Sequence, residues 1–300
     1  MTGYDNGLPT TTTYTYDANG NTLAVAATTE DQFGRPTDVK QTTYGWDVEN
    51  RLISAVATDS AAGSSHQTEM TYDDAGNRTS ETVDGQTTAF LNDPNNAYDQ
   101  VLEEYAPSGV LAASYVRGLD LLFQDRAGVR SYYAVDGLDS TRALTNSAGA
   151  VTDTYTYDAY GNVLGSTGVT TNEFLFAGQQ RDFVLGKDYL RARYLDTAAG
   201  RFTSSDTFVG NTSDPITQNH YAYANDNPFN RIDPGGHESE GESITVSGLI
   251  ATIVSFGFSA VQFTAAHPLI SIFVTSVISL YFPQFRHLHA ARLSSLSAAA

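Results

Sequence analysis

One short pattern returns along the chain and constrains the fold more than any other feature of the sequence. Residues 13–23 read TYTYDANGNTL, residues 71–79 read TYDDAGNRT, residues 154–164 read TYTYDAYGNVL, and residues 44–55 hold a weaker copy, YGWDVENRLISA. Alternating Thr and Tyr suit a pleated strand, whereas Asp followed by Gly-Asn is typical of a tight turn. Each copy therefore predicts a strand, a turn and a returning strand, repeated as a loose array of hairpins.

The Tyr and Asp of each copy are predicted to be structural. Rings at alternate strand positions share one face, where we expect them to pack in the core and along the strand ladder, with cross-strand aromatic pairs. The Asp can accept hydrogen bonds from the amides of its own turn. The residues concerned are Tyr16, Tyr72 and Tyr157 for the rings, and Asp17, Asp73 and Asp158 for the turns.

Charge and composition exclude several classes of function. The formal net charge is -18, and binding to a phosphate backbone needs an excess of Lys and Arg, so no nucleic-acid partner is expected. The chain has no Cys, which excludes disulfides, thiolate metal sites and a Cys nucleophile. The pair His287 and His289 has no third ligand nearby in the sequence, so no metal is expected. Motifs of nucleotide-binding loops and of serine hydrolases are missing too, and no cofactor is expected. The N-terminal residues lack the basic and apolar regions of a secretory signal peptide.

An ordered series of motifs follows the repeats. It comprises YYAVDGLDSTRALTNSAGAVTDTYTYDAYGNVLGST at 132–167, FLFAGQQRD at 174–182, YLRARYLDTAAGRFTSSD at 189–206 and HYAYANDNPFNRIDPGG at 220–236. Together with the repeats, this series resembles the Rhs proteins and their RHS repeat-associated core, the C components of insecticidal Tc complexes and the animal teneurins. The resemblance covers roughly residues 10–236.

The resemblance implies a long β-sheet strip that spirals into a hollow shell, with the core closing one end and a variable C-terminal toxin held inside or beyond it. We therefore predict a mainly β chain, in which antiparallel YD-repeat hairpins form a curved or spiral sheet, a partial Rhs shell, followed by an apolar, helical C-terminal tail. The predicted regions are 1–131 for the YD repeats, 132–236 for the repeat-associated core and 237–300 for the tail.

The resemblance also implies self-cleavage by an intramolecular aspartyl protease. Carried onto this sequence, the family's motifs make Asp206 and Asp233 the acid pair and Arg193 the cation that orients them. Two carboxylates held close together cannot both ionise, so one can activate water while the other protonates the amide. Asp196 and Arg201 are expected to support the pair by fixing the turn around Gly200.

The expected cleavage site is Gly236, His237 and Glu238. The family is cut after a Leu that follows the DPxG motif, and His237 occupies that position here; Thr207 likewise stands where the family has Pro. The alternative is that the charged residues form an ion-paired sheet edge without chemistry. That edge would comprise Arg193, Asp196, Arg201 and Asp206.

The C-terminal region differs in character from the rest. Residues 243–285 contain no Asp, Glu, Lys or Arg, and residues 247–266 are long enough to cross about 30 Å of hydrocarbon as a helix. Two interpretations remain open, a membrane segment within 243–285 and an apolar tail that the shell encloses.

The leading functional prediction is a structural shell and plug module of an Rhs-type polymorphic toxin, secreted or at the bacterial cell surface. Its partners would be its own C-terminal segment as cargo, upstream Rhs shell sequence and secretion-system components. The alternatives are an aspartyl autoprotease that acts only on itself, releasing the tail after the DPGG motif, and a membrane-inserting effector tail.

Overall fold

The computed structural model describes residues 2–5, 7–93, 95, 98–118, 120–237 and 244–245. Its main element is a 15-stranded antiparallel sheet whose strands neighbour one another in the order of the sequence. The strands are β1 Thr2–Asp5, β2 Leu8–Tyr16, β3 Thr22–Glu30, β4 Pro36–Trp46, β5 Leu52–Asp59, β6 Ser64–Tyr72, β7 Arg78–Val83, β8 Gln86–Asp93, β9 Gln100–Tyr105, β10 Leu111–Arg117, β11 Leu121–Arg126, β12 Val129–Val135, β13 Thr141–Thr145, β14 Val151–Tyr157 and β15 Val163–Thr167. The predicted mainly β, antiparallel fold is confirmed.

The residues after the large sheet, 168–237, form what we call the core segment. A four-stranded antiparallel sheet contains β16 Gln180–Asp182, β17 Lys187–Leu190, β18 Arg193–Asp196 and β19 Arg201–Phe202. A further strand, β20 Arg231–Ile232, pairs with β21 Ile244–Thr245, and short 3-10 turns cover Phe176–Gly178, Pro215–Gln218 and Ala224–Asp226. The sequence-based boundary at 131/132 lies within β12, whereas the architecture changes after Thr167.

The tail prediction concerns residues that the structure does not describe. Its helical conformation therefore stays a prediction. No helix within the described ranges is long and apolar enough to cross a membrane.

The repeat aspartates organise their turns as predicted. Oδ1 of Asp73 accepts hydrogen bonds from the amides of Ala75 (2.9 Å) and Asn77 (2.8 Å), two and four residues further on. Asp17 and Asp158 accept the same two bonds in their own turns. These bonds satisfy amides that the hairpin ladder leaves without partners, and all of them lie within four residues of the acid.

The repeat tyrosines pack against the core segment or bond to a neighbouring strand. The ring of Tyr157 lies 5.9 Å from that of Phe176, and the ring of Tyr16 lies 6.2 Å from that of Tyr221, so both pack against the core segment. The hydroxyl of Tyr72 donates to the carbonyl of Leu52 (2.7 Å) on the neighbouring strand. The predicted core packing is confirmed for Tyr72 and Tyr157, which pack against buried clusters, whereas Tyr16 is 41% exposed.

The core segment docks on one end of the large sheet. In an antiparallel meander, all turns that lead from an even-numbered to an odd-numbered strand lie at the same end, and the repeat aspartates sit in these turns. Hydrogen bonds join the core segment to this end of the sheet, from the turn after β2 to the turn before β15. The bonds join Tyr221 to Gly20 (2.8 Å), Gln180 to Arg78 (2.7 Å), Arg191 to Asp99 (2.7 Å), Ala177 to Ser140 (3.0 Å) and Thr197 to Asn162 (2.8 Å).

The apolar clusters lie between the large sheet and the core segment. One cluster contains Phe202 and Tyr223 with Tyr157 packed against it, another joins Leu52 and Met70 to Tyr194, and a third joins Tyr115 to Phe174. Each cluster takes side chains from both parts, so the core segment covers these apolar residues of the sheet. We expect the two parts to fold together.

Candidate active site

The hairpin of β17 and β18 carries the residues that build the site. Leu190 and Arg193 are register partners, so only Arg191 and Ala192 form the turn, and the positive φ of Arg191 (59°) fits a two-residue hairpin turn. Arg193 is the first residue of β18. Its side chain is 3% exposed, and its guanidinium lies 3.6 Å from the centre of the Phe202 ring.

Three successive residues of this hairpin bind three successive carbonyls of the DPGG stretch. The bonds run from Arg191 Nη1 to Pro234 O (2.5 Å), from the Ala192 amide to Gly235 O (3.3 Å) and from Arg193 Nε to Gly236 O. We call this set of bonds the carbonyl clamp. It fixes residues 234–236, which form a bend, against the hairpin tip.

The same arginine contacts both predicted aspartates. Arg193 Nη2 lies 2.8 Å from Asp206 Oδ2 and 3.5 Å from Asp233 Oδ2. Its Nη1 donates to the carbonyl of His220 (3.0 Å). The structure thus brings together the three residues of the predicted catalytic set, although Asp206 and Asp233 are 27 positions apart in the sequence.

Asp233 lies in the interior, with its side chain 1% exposed. Burial raises the pKa of this carboxyl, the charge of Asp206 adds to the effect, and Arg193 and two hydrogen bonds oppose it. The two bonds come from the amides of Gly236 (2.8 Å) and His237 (3.1 Å) to Oδ1. A raised pKa favours the protonated form of Asp233.

The pKa of Asp206 is shifted in the opposite direction, downward. Burial acts to raise its pKa, but the hydrogen bond with His237 and the charge of Arg193 outweigh it, so the pKa lies below its usual range. His237 Nδ1 is 3.1 Å from Oδ1, and the Phe208 amide donates to the same oxygen (3.1 Å). Neighbouring carboxyls with opposite pKa shifts are one arrangement that acid–base catalysis can use.

The two supporting residues lie on the neighbouring turn. Asp196 and Arg201 are register partners that flank residues 197–200, and Asp196 Oδ1 accepts the Ala199 amide (3.1 Å). Asp196 Oδ2 pairs with Lys187 (2.7 Å), and Arg201 donates to the Tyr16 hydroxyl (2.8 Å). Their described contacts thus fix the turn and attach it to β2.

Sequence reasoning missed two features of the site. One is Arg191, whose place beside Arg193 in YLRARY was a usable signal, and the other is the bond between His237 and Asp206. A cavity of about 580 Å³ opens beside the site and is lined by residues including Arg193, Thr207, Gly235 and His237. Glu238 lies outside the described residues.

The sheet, the core segment docked on its turns and the buried aspartate pair define a YD-repeat shell protein. The chain belongs to the teneurin YD-shell family, whose family model matches residues 1–229.

Two curated relatives are nucleases by name. The chain is 33% identical over 227 residues to the tRNA3(Ser)-specific nuclease WapA of Bacillus spizizenii and 32% identical over 227 residues to the tRNA nuclease WapA of Bacillus subtilis strain 168. Each match covers 74% of this chain but only 9% of the relative.

Two solved structures are similar in fold. They are a TcdB2–TccC3–Cdc42 crystal structure and a Photorhabdus luminescens Tc holotoxin pore with a TccC3 mutation. Each superposes with a TM-score of 0.50 at 15% identity and covers 81% of this chain and 14% of the other. At this identity, the likeness shows the fold alone.

Proposed function

We propose that the chain is a structural shell and plug module of an Rhs-type polymorphic toxin, which encloses or presents a C-terminal effector. One observation carries this proposal. A single turn of the core segment contacts strands near the beginning and near the end of the large sheet. A Cβ built on Gly200 would lie 3.1 Å from the Tyr160 ring, next to β15, whereas the adjoining Arg201 bonds to Tyr16 on β2.

These contacts support a curved sheet. Strands β2 and β14 are twelve steps apart, which would be about 58 Å in a flat sheet. Gly200 and Arg201 are adjacent, so their contacts can join two parts of the sheet only if these lie within about 25 Å of each other. The row of turns must therefore bend around the core segment, as expected if the core segment closes the end of a shell.

Spin-label distances test the curvature, and the chain has no Cys to interfere. Ala18→Cys and Ala159→Cys place labels at equivalent positions of two repeat turns, where a curved sheet predicts about 25 Å plus the label arms and a flat sheet about 58 Å. The control pair, Ala18→Cys with Asp74→Cys, spans four strands, about 19 Å, and calibrates the labels. A distance near 58 Å would contradict the proposal.

Self-cleavage is the second proposed function. It is supported by the opposite pKa shifts of Asp206 and Asp233 around Arg193, and by the carbonyl clamp that holds the adjacent chain. Intact-mass spectrometry of the purified full chain is the test. Two fragments that divide near residue 237 are expected, and a single uncut mass would contradict this function.

The proposed cargo is the tail, 237–300. Its uncharged stretch, 243–285, needs an apolar cover, for which we propose the shell or, as an effector target, a membrane. We also propose a location outside the producing cell, with upstream shell sequence and secretion components as partners. Nuclease activity is not proposed, because the matches cover 9% of the WapA relatives and the net charge of -18 opposes nucleic-acid binding.

A further inference from the structure

Two arginines line one cavity at the junction between the large sheet and the core segment. Arg117 is the last residue of β10, and Arg191 is in the turn of the β17–β18 hairpin. The cavity has a volume of about 150 Å³. We propose that it binds a small monovalent oxyanion, such as a free carboxylate, which both guanidinium groups hold.

Arg117 lacks the partners that a covered guanidinium normally has. Its Nε is buried but has no hydrogen-bond partner among the described residues, and the side chain forms no ion pair with a described carboxylate. The guanidinium lies 4.7 Å from the centre of the Phe174 ring. The ring covers one face of the guanidinium, whereas the N–H groups point outward in its plane. A buried donor without a partner is uncommon in native proteins and indicates that a ligand can be bound there.

Arg191 is held in place, but its described hydrogen bonds do not neutralise its charge. Its Nε donates to the carbonyl of Asp99 (2.7 Å), and its Nη1 donates to Gln179 Oε1 (2.7 Å) and to Pro234 O (2.5 Å). All three acceptors are neutral oxygens. Nη2 takes no part in these bonds, so a fixed guanidinium keeps donor capacity for a ligand.

The pKa values of both arginines fit a site with uncompensated positive charge. Burial, together with the charge of Arg191, lowers the pKa of Arg117 to about 10. Burial also lowers the pKa of Arg191. An anion bound by both groups would reverse these effects, because a nearby opposite charge favours the charged form of a guanidinium. The planar donor fork of Arg matches the two oxygens of a carboxylate.

The acids of the cavity set the charge of the ligand. Asp120 and Asp139 also line it, and burial, followed by the charge of Asp120, raises the pKa of Asp139 to about 7. At pH 6, Asp139 is therefore mostly protonated, and the two guanidinium groups exceed the one remaining carboxylate by a single positive charge. One negative charge on the ligand balances this excess.

The size of the cavity limits the ligand to a few atoms. A water molecule occupies about 30 Å³ of liquid, and sites for drug-sized ligands begin at about 300 Å³. A cavity of about 150 Å³ therefore suits an anion the size of acetate. Because its two arginines come from β10 and from the core segment, the bound anion should stabilise the docked, folded chain.

Thermal unfolding of the purified full chain at pH 6 tests the site, with sodium acetate as the probe. Ionic strength is held constant with a sulfonate salt too bulky for the cavity, because a chain with a net charge of -18 also responds to screening. The Tm should rise by about 3 °C for each tenfold increase in acetate above its dissociation constant. Acetamide, which has the same size but no charge, should have no effect. A Tm that is independent of acetate up to about 100 mM, or that rises equally with acetamide, would overturn the inference.

Two arginine variants provide the matched test. Arg130 also lies over a ring, 4.2 Å from the centre of Phe123, but its side chain is 46% exposed and pairs with Asp125 (3.3 Å). Arg117→Gln should lose the acetate response, and without acetate it should melt at or above the wild-type temperature, because an unpaired buried charge is removed. Arg130→Gln should keep the full response.

The opposite results separate a binding role of Arg117 from a purely structural one. A structural role predicts that Arg117→Gln fails to fold, or melts below the wild type by the same amount at every acetate concentration. Either result would contradict the anion site. A response that survives in Arg117→Gln, or that is lost in both variants, would contradict it as well.

Discussion

Arg193 and the two aspartates form one connected unit, so each acid should be indispensable to cleavage. We expect Asp206→Asn and Asp233→Asn to slow self-cleavage by about 100-fold or more, because each removes one proton-transfer group while keeping the shape of the side chain. Intact mass followed over time after purification measures the rate. Asp214→Asn, on an exposed loop, is the control and should cleave normally. Cleavage at the wild-type rate in both active-site variants would refute the acid pair.

Gly236 offers a second residue-scale prediction with a close control. Gly236→Ala and Gly109→Ala both place a methyl group on a backbone with φ of +76°, but only at Gly236 does that methyl meet another atom. Each change should cost about 1–2 kcal/mol in backbone strain. Because the clash would also displace the clamped backbone next to the predicted cleavage site, Gly236→Ala alone should slow cleavage by about 100-fold. Equal cleavage rates in the two variants would contradict the close fit at the clamp.

At the scale of elements, buried carboxyls connect the core segment to the large sheet. Asp182 on β16 lies beside Glu81 on β7, and burial followed by the charge of Glu81 raises the pKa of Asp182 to about 7. This folded-state value lies above that of the unfolded chain, about 3.9. The stabilising contribution of Asp182 is therefore complete below about pH 4 and is lost as the pH rises through about 7.

The variant Asp182→Asn should remove the part of the pH dependence of stability that comes from this carboxyl. Between pH 5 and 7, the free energy of unfolding should fall with pH more steeply in the wild type than in the variant, by up to about 1.4 kcal/mol per pH unit. The Asn amide imitates the protonated acid. The variant should therefore be more stable than the wild type only at the higher pH values. Urea unfolding at pH 5, 6, 7 and 8 measures the two slopes, and identical slopes would contradict the prediction.

Elements held by local bonds could be predicted from the sequence, and elements held by distant bonds could not. The Asp73 turn was predictable because its hydrogen bonds span at most four residues. Tyr16 takes its partners from the core segment, with Arg201 185 positions away, and no local pattern indicates that contact. The grouping of Arg193 with Asp206 and Asp233 came from the family motifs, whereas the bond of His237 to Asp206 depends on docking of the core segment.

At the scale of the whole molecule, the tail should partition into an apolar phase, whereas the rest of the chain should stay in water. Burial of apolar groups is worth about 0.8 kcal/mol per CH₂, so the uncharged residues 243–285 should seek an apolar phase when no shell covers them. Residues 243–300 produced alone should float with liposomes, and residues 1–236 should stay in solution. A tail that remains monomeric in plain buffer would contradict both the membrane and the enclosure proposals.

The central claim is that this module cuts its tail free and still holds it. Mass spectrometry of the purified full chain, run on one sample under native and then denaturing conditions, tests that claim most directly. The account predicts one noncovalent complex with the full mass under native conditions and two fragments that divide near residue 237 after denaturation. An uncut chain after denaturation, or fragments already separate under native conditions, would contradict it.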